Sequence, residues 1–213
     1  MMTRTTLAAT ALSLIFGLVA LAGCAGGPEV KSIKTAPGTI QSPEHILVLA
    51  VSPREPNRNV MESALVVRLN KAGFEATEYG PAPSLSWKDP QKLKQQVQAR
   101  LQADRADSVL TVSLVRKNKQ VEHIPHHVVF NPITVSYGPL ASATYMEAMS
   151  IPDTYKETTE YILRATLFQA DSGASVWQMF SSTVNPESLE KAANEYARVV
   201  VRELSKSLDD SAP

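Results

Sequence analysis

The chain of 213 residues contains one cysteine, Cys24, so no disulfide can form within it and any exported fold must be held by packing alone. Neither sign of charge is in excess, since 21 Lys and Arg face 21 Asp and Glu. A nucleic-acid surface needs a basic stripe to neutralise phosphates, and neither an arginine-rich run nor an aromatic platform is present, so nucleic acid is excluded as a partner. No glycine-rich loop of the P-loop or dinucleotide type occurs. The Gly-x-Ser-x-Gly turn that exposes a hydrolase nucleophile is absent as well, and Asp171-Ser172-Gly173 has the chemistry of a turn. With no catalytic set and no cofactor-binding motif assembled, a non-enzymatic protein is expected.

What is present begins with an address. Met1 to Thr6 is a short polar start with one positive charge, Arg4, followed by an apolar stretch from Leu7 to Ala20 and by Leu21-Ala22-Gly23-Cys24. Small residues before a cleavage point complete the pattern of an export signal. The apolar run is shorter than the ~20 residues a spanning helix needs, so it targets the chain without crossing a bilayer. Leu-Ala-Gly-Cys resembles the lipobox of bacterial lipoproteins. That resemblance implies removal of residues 1–23, a diacylglycerol on the Cys24 thiol and acylation of its new amino group. The covalent lipid on Cys24 is the one non-protein group expected. At ~0.8 kcal/mol per buried methylene, several acyl chains make a firm membrane anchor. Ala25, where Asp is absent, resembles the signal for release to the outer membrane of a Gram-negative host, facing the periplasm. Loss of Arg4 leaves 20 basic and 21 acidic residues. Residues 24–43 are rich in Gly, Pro, Ser and Thr without apolar periodicity, which predicts a flexible tether ahead of a single domain over 44–209.

Within that domain, His45 to Val51 (HILVLAV) is nearly continuous aliphatic sequence, as in a strand covered on both faces. Val60, Met61, Ala64, Leu65, Val67 and Leu69 recur at helical spacing between Asn59 and Ala72, with Gly73 as terminator. Phe74 to Tyr79 reads as a short strand. Asp89 before Pro90 predicts a capped helix to about Asp104, with Leu93, Val97 and Leu101 on one face. Ser108 to Val115 is the next strand, and Asp171-Ser172-Gly173 joins Thr158–Ala170 to Ala174–Val184 as a hairpin. Asn185-Pro186 is expected to cap a last amphipathic helix carrying Leu189, Ala193, Tyr196, Val200, Leu204 and Leu208. The expected fold class is α/β (α+β): a two-layer, mixed β-sheet with about three helices packed mainly on one face, in the order β-α-β-α-β, an excursion, then β-β-α.

The opening ILVLAV strand with its helix ending Lys-Ala-Gly-Phe, and the hairpin TEYILRATLFQADSGASVWQMF with its closing helix, resemble the small α/β domains of bacterial envelope lipoproteins. That group includes the periplasmic domain of the curli-secretion lipoprotein CsgG and the amino-terminal domain of TolB. The matching residues are core and turn residues, so the resemblance implies a fold and no catalytic set.

Residues 116–156 are too long for an ordinary connection. They hold His123, His126 and His127, weak candidates for a transition-metal site, because Pro125 interrupts them and neither a helical pair nor a full ligand set is formed. Asp153, Glu157 and Glu160 read as a solvated strand end. Val128–Tyr137 and Ala141–Met149 flank Gly138-Pro139 as a hairpin of bilayer-spanning length, although Pro132 and Glu147 spoil a lipid-facing stripe. The function expected is a membrane-anchored, periplasm-facing binding or assembly module that meets another envelope protein. The alternatives are an oligomeric secretion or pore component of the CsgG type, built as a homo-oligomer, and a metal-binding or hydrolytic envelope protein.

Overall fold

The computed structural model describes residues 27–37, 41–80, 85–136 and 142–211, with backbone alone for 133–136 and 142–145. The leader, Cys24 and Gly138-Pro139 lie outside the described residues.

Eleven elements follow one another: β1 (Glu29–Thr35), β2 (His45–Val51), α1 (Glu55–Lys71), β3 (Glu75–Glu78), α2 (Pro90–Asp104), β4 (Ser108–Ile124), β5 (His127–Ser136), β6 (Ser142–Ile151), β7 (Thr154–Gln169), β8 (Ser175–Val184) and α3 (Leu189–Asp209). A six-stranded mixed sheet has the order β1-β8-β7-β4-β2-β3, with β2 parallel to both β3 and β4 and the other pairs antiparallel. β5 and β6 form a separate antiparallel pair.

The aliphatic run of β2 is explained by cover on both sides. Ile46, Val48 and Ala50 join the main core beneath α1 and α3, which also takes Leu65, Leu69, Ala165, Leu167, Trp177, Met179, Tyr196, Val200 and Leu204. Leu47 and Leu49 face the other way, into a smaller cluster with Leu101, Val109 and the partly buried Leu93 and Val97. Thus α1 and α3 cover one face, and α2 shields the β2–β4 region of the other. Trp177 is fully buried, and its Nε1–H donates to Ser207 Oγ on α3 at 3.1 Å, pinning the hairpin to the last helix.

Local signals account for most boundaries. The Asp89 carboxylate accepts from the Gln91 and Lys92 amides, and Pro90 occupies the first turn where an amide would have no partner. Gly173 takes φ +67° in the β7–β8 turn, a conformation that a side chain disfavours.

β4 runs on to Ile124 past the expected end at Val115, and β7 begins at Thr154 rather than Thr158, because the two strands pair with each other along the excursion. Three further differences from the sequence reading concern the helix starts and the sheet edge. First, α1 begins at Glu55, a turn before Asn59, because Pro56 sits in its first turn and Glu55 favours the positive helix end. Second, Ser188 caps α3 by accepting from the Lys191 amide. Asn185 instead closes the β7–β8 ladder: at φ 43° its side chain accepts from the Thr159 amide at 2.6 Å, and its own amide donates to the Thr159 carbonyl. Third, Glu29–Thr35, inside the stretch read as flexible tether, is the edge strand β1, bound to β8 from Glu29↔Ser182 to Thr35↔Trp177. Only Val30 of this strand packs against the core; backbone pairing holds the rest, so no apolar periodicity marks it. Lys31 and Lys34 on an exposed edge discourage further pairing. Among the described residues no helix is long and apolar enough to cross a membrane.

Candidate functional site

Three features of the fold can carry function: a buried ion pair, an apolar cleft and a projecting arm.

The ion pair sits where the parallel strands β2 and β3 end. Glu62, on α1, is wholly buried, and its carboxylate accepts from the Ala50 amide and the Gly80 amide, both at 3.0 Å. It therefore ties the last turn of β2 and the exit from β3 to α1. Arg58, one helical turn away and also buried, brings Nε to 3.8 Å from the carboxylate and donates from a terminal nitrogen to the Gly80 carbonyl at 3.4 Å. Burial disfavours the charged carboxylate, and the two amides and Arg58 only partly offset it, so the Glu62 pKa is pushed up to about 7. The sequence reading passed over both residues. Their i, i+4 spacing within an apolar helix face was the available signal.

The cleft opens on the α1/α3 side of the sheet, at the N-terminal ends of both helices. It has a volume of about 600 Å³ and is walled by Ala50, Met61, Val112, Leu114, Leu163 and Leu189, with Tyr161 and Thr183 among its other residues and no charged side chain in its lining. Val51, Leu114 and Leu189 at its mouth are 43%, 52% and 38% exposed. Thr183 is buried, and its Oγ1 has no hydrogen-bond partner.

The arm is the excursion at 116–156. β2 ends opposite Ser113, and β8 ends opposite Glu160 with one further backbone bond from Asn185 to Thr159, so from Gln120 and Thr158 outward β4 and β7 pair only with each other. That ribbon reaches Ile124 and Thr154, and the β5–β6 hairpin follows it. The hairpin register puts Val128, Phe130 and Pro132 on one face with Ser150, Ala148 and Met146, and places Asn131 opposite Glu147 on the other. Val128, Phe130 and Met146 are all exposed, Phe130 and Met146 at 59% each.

Where ribbon and hairpin meet, the three candidate histidines take separate partners. His123 Nε2 lies 3.1 Å from an Asp153 oxygen, and its ring stacks against Tyr155 at 5.0 Å. The His126 amide donates to the other Asp153 oxygen at 2.6 Å, while its Nε2 pairs with Ser150 Oγ at 2.7 Å. His127 Nδ1 is 3.2 Å from the Pro125 carbonyl. Nothing draws the imidazoles to a common point, and among the described residues no group of three or more His, Cys, Asp or Glu is placed to hold a metal. Their visible role is to brace an elbow around Asp153. Glu157 and Glu160 point to other partners, Lys119 at 2.8 Å and Asn118 at 3.0 Å, so the three carboxylates form no common site.

No protein-family model matches the chain, and no curated protein matches it. Among solved structures it is similar to the PelC dodecamer from Paraburkholderia phytofirmans, at 12% identity and TM-score 0.46 over 83% of this chain and 96% of that one. It is also similar to lipoprotein GNA1162 from Neisseria meningitidis, at 16% identity and TM-score 0.36 over 77% of this chain and 99% of that one. With TM-scores below 0.5, these likenesses decide neither a family nor an activity for this chain.

Proposed function

We propose that the protein is a lipid-anchored, periplasm-facing module without enzymatic activity, which binds or assembles with another envelope component through the β5–β6 hairpin. One observation carries this reading: Val128, Phe130 and Met146 lie exposed together on one face of a two-stranded ribbon. A two-stranded ribbon on its own is marginal in water and gains stability when a face is covered or an edge is paired. Both edges of this hairpin are unpaired among the described residues. Anchoring rests on the export signal and on Cys24 at the end of the lipobox-like Leu-Ala-Gly-Cys.

The test is affinity isolation from chemically crosslinked envelopes of the host. The intact chain is compared with a variant in which residues 126–152 are replaced by an Asn-Gly turn closing β4 on β7. Loss of a specific crosslinked species in the variant is expected, and recovery of an identical set from both would contradict the hairpin's role.

A second reading is a ring-forming secretion component. It is favoured by the length of β5 and β6, ten residues each, within the ~9–11 that tilted membrane strands need. Asn131 facing Glu147 in mid-hairpin weighs against a lipid stripe on that face. Native mass spectrometry of the protein in detergent separates the readings: a closed ring of defined size supports the second, a monomer the first.

A further inference from the structure

We propose that the cleft between the N-terminal ends of α1 and α3 seats one acyl chain of the lipid carried by Cys24. The inference rests on the lipid-anchored reading and adds an internal site for part of that lipid.

Four observations point to this occupant. The cleft, at about 600 Å³, has the size of a small-ligand site, and its walls are mostly apolar, built on Ala50, Met61, Val112, Leu114, Leu163 and Leu189 with a minority of uncharged polar residues such as Ser52, Asn57 and Ser188. No charged side chain lines it, which disfavours a polar metabolite or an acidic or basic peptide and suits a neutral aliphatic chain. Thr183 Oγ1 is buried there without a partner, and a hydroxyl so placed can donate to an ester or amide carbonyl at the head of an acyl chain. Finally, β1 joins the sheet at Glu29, opposite Ser182 and thus beside Thr183. Five residue steps separate Glu29 from Cys24, and at ~3.3–3.6 Å each they cannot reach beyond about 18 Å. The lipid is therefore confined close to the cleft mouth, where a short tether raises its effective concentration to roughly the millimolar range.

The mouth, with Val51, Leu114 and Leu189 exposed, would then face the membrane or shield one chain away from it. Occupancy adds no covalent step. It fixes the domain close to its anchor, with the arm as the element left to meet a partner.

The test uses a fluorescent fatty acid, cis-parinaric acid, with two preparations: the chain from residue 24 onward carrying Cys24→Ser, and the full mature protein purified with its lipid in detergent-free nanodiscs, both measured in the presence of the same nanodisc lipid with the signal of protein-free nanodiscs subtracted. Intact mass establishes acylation of the second independently. The lipid-free chain is expected to bind one probe per molecule. Leu114→Asp, at a half-exposed position outside the core clusters, should weaken binding at least tenfold, and Thr183→Val should weaken it several-fold, both with circular dichroism unchanged. The acylated protein is expected to bind at least tenfold more weakly, because its own chain fills the site. Failure of the lipid-free chain to bind, binding insensitive to Leu114→Asp, or equal binding by acylated and lipid-free protein would each overturn the proposal while leaving the anchor intact. A mature protein whose mass shows no lipid would instead overturn the anchored reading.

Discussion

Replacing Glu62 by Gln removes one titrating group from the core at nearly constant volume, and its consequence depends on pH. In the fold, burial raises the carboxyl pKa from 4.5 to about 7. Between those values the folded protein holds a proton that the unfolded chain has released, so stability falls as pH rises through this window. The contribution is fully present below about pH 4.5 and lost above about pH 7. A displacement of ~2.5 units at 1.36 kcal/mol per unit amounts to roughly 3 kcal/mol. In Glu62→Gln the amide oxygen keeps one of the Ala50 and Gly80 amides and its NH2 group turns toward the other, a cost of about 1–3 kcal/mol. Urea unfolding at intervals from pH 4.5 to 8 isolates the effect, because every other group titrates alike in both proteins and cancels in the difference. The variant should be less stable by about 1–3 kcal/mol at pH 5, and by pH 8 the difference should have moved in its favour by roughly 3 kcal/mol, leaving it equal to or more stable than the parent. Parallel stability curves would refute the assignment of a raised pKa to Glu62.

Other substitutions probe separate parts of the account. The Tyr196 hydroxyl is fully buried with no hydrogen-bond partner, and burial raises its pKa well above the usual phenol range. Tyr196→Phe should therefore leave stability unchanged or raise it by up to ~1–2 kcal/mol, and a loss beyond 1 kcal/mol on thermal unfolding would reveal a partner for that oxygen. Asp89→Ala removes the acceptor for two first-turn amides of α2 and should cost about 1 kcal/mol, measured by urea midpoint. Phe130→Asp should leave the unfolding temperature of the domain unchanged, since Phe130 touches no part of the core, yet abolish association through the hairpin; a lowered melting temperature would show that the arm packs back on the body.

Much of the sheet-and-helix body was legible because its residues obey short-range rules. The alternating destinations of Ile46, Leu47, Val48 and Leu49 follow from a doubly covered strand, and Asp89-Pro90 and Asp171-Ser172-Gly173 announce their own geometry. β1 was not legible, because its pairing partner lies about 150 residues away and only Val30 reaches the core. The cap of α3 was misplaced for a similar reason: Asn185-Pro186 has the composition of a cap, but a tertiary bond to Thr159 claims the Asn185 side chain. For the site, the length of residues 116–156 and a hairpin within them could be read directly. Asp153 bracing His123 and His126 could not, since their approach depends on the β4–β7 register, Glu122↔Lys156 and His123↔Tyr155. The cleft is equally non-local, assembled from β2, α1, β4, β7, β8 and α3.

The most direct test of the hairpin as contact element is site-specific photo-crosslinking in living cells of the native host. A photoreactive residue is placed at Phe130 and, in a control, at Lys94 on the exposed face of α2. The account predicts a discrete crosslinked species from position 130 and none from position 94, whereas equal silence or equal labelling at the two positions would contradict it.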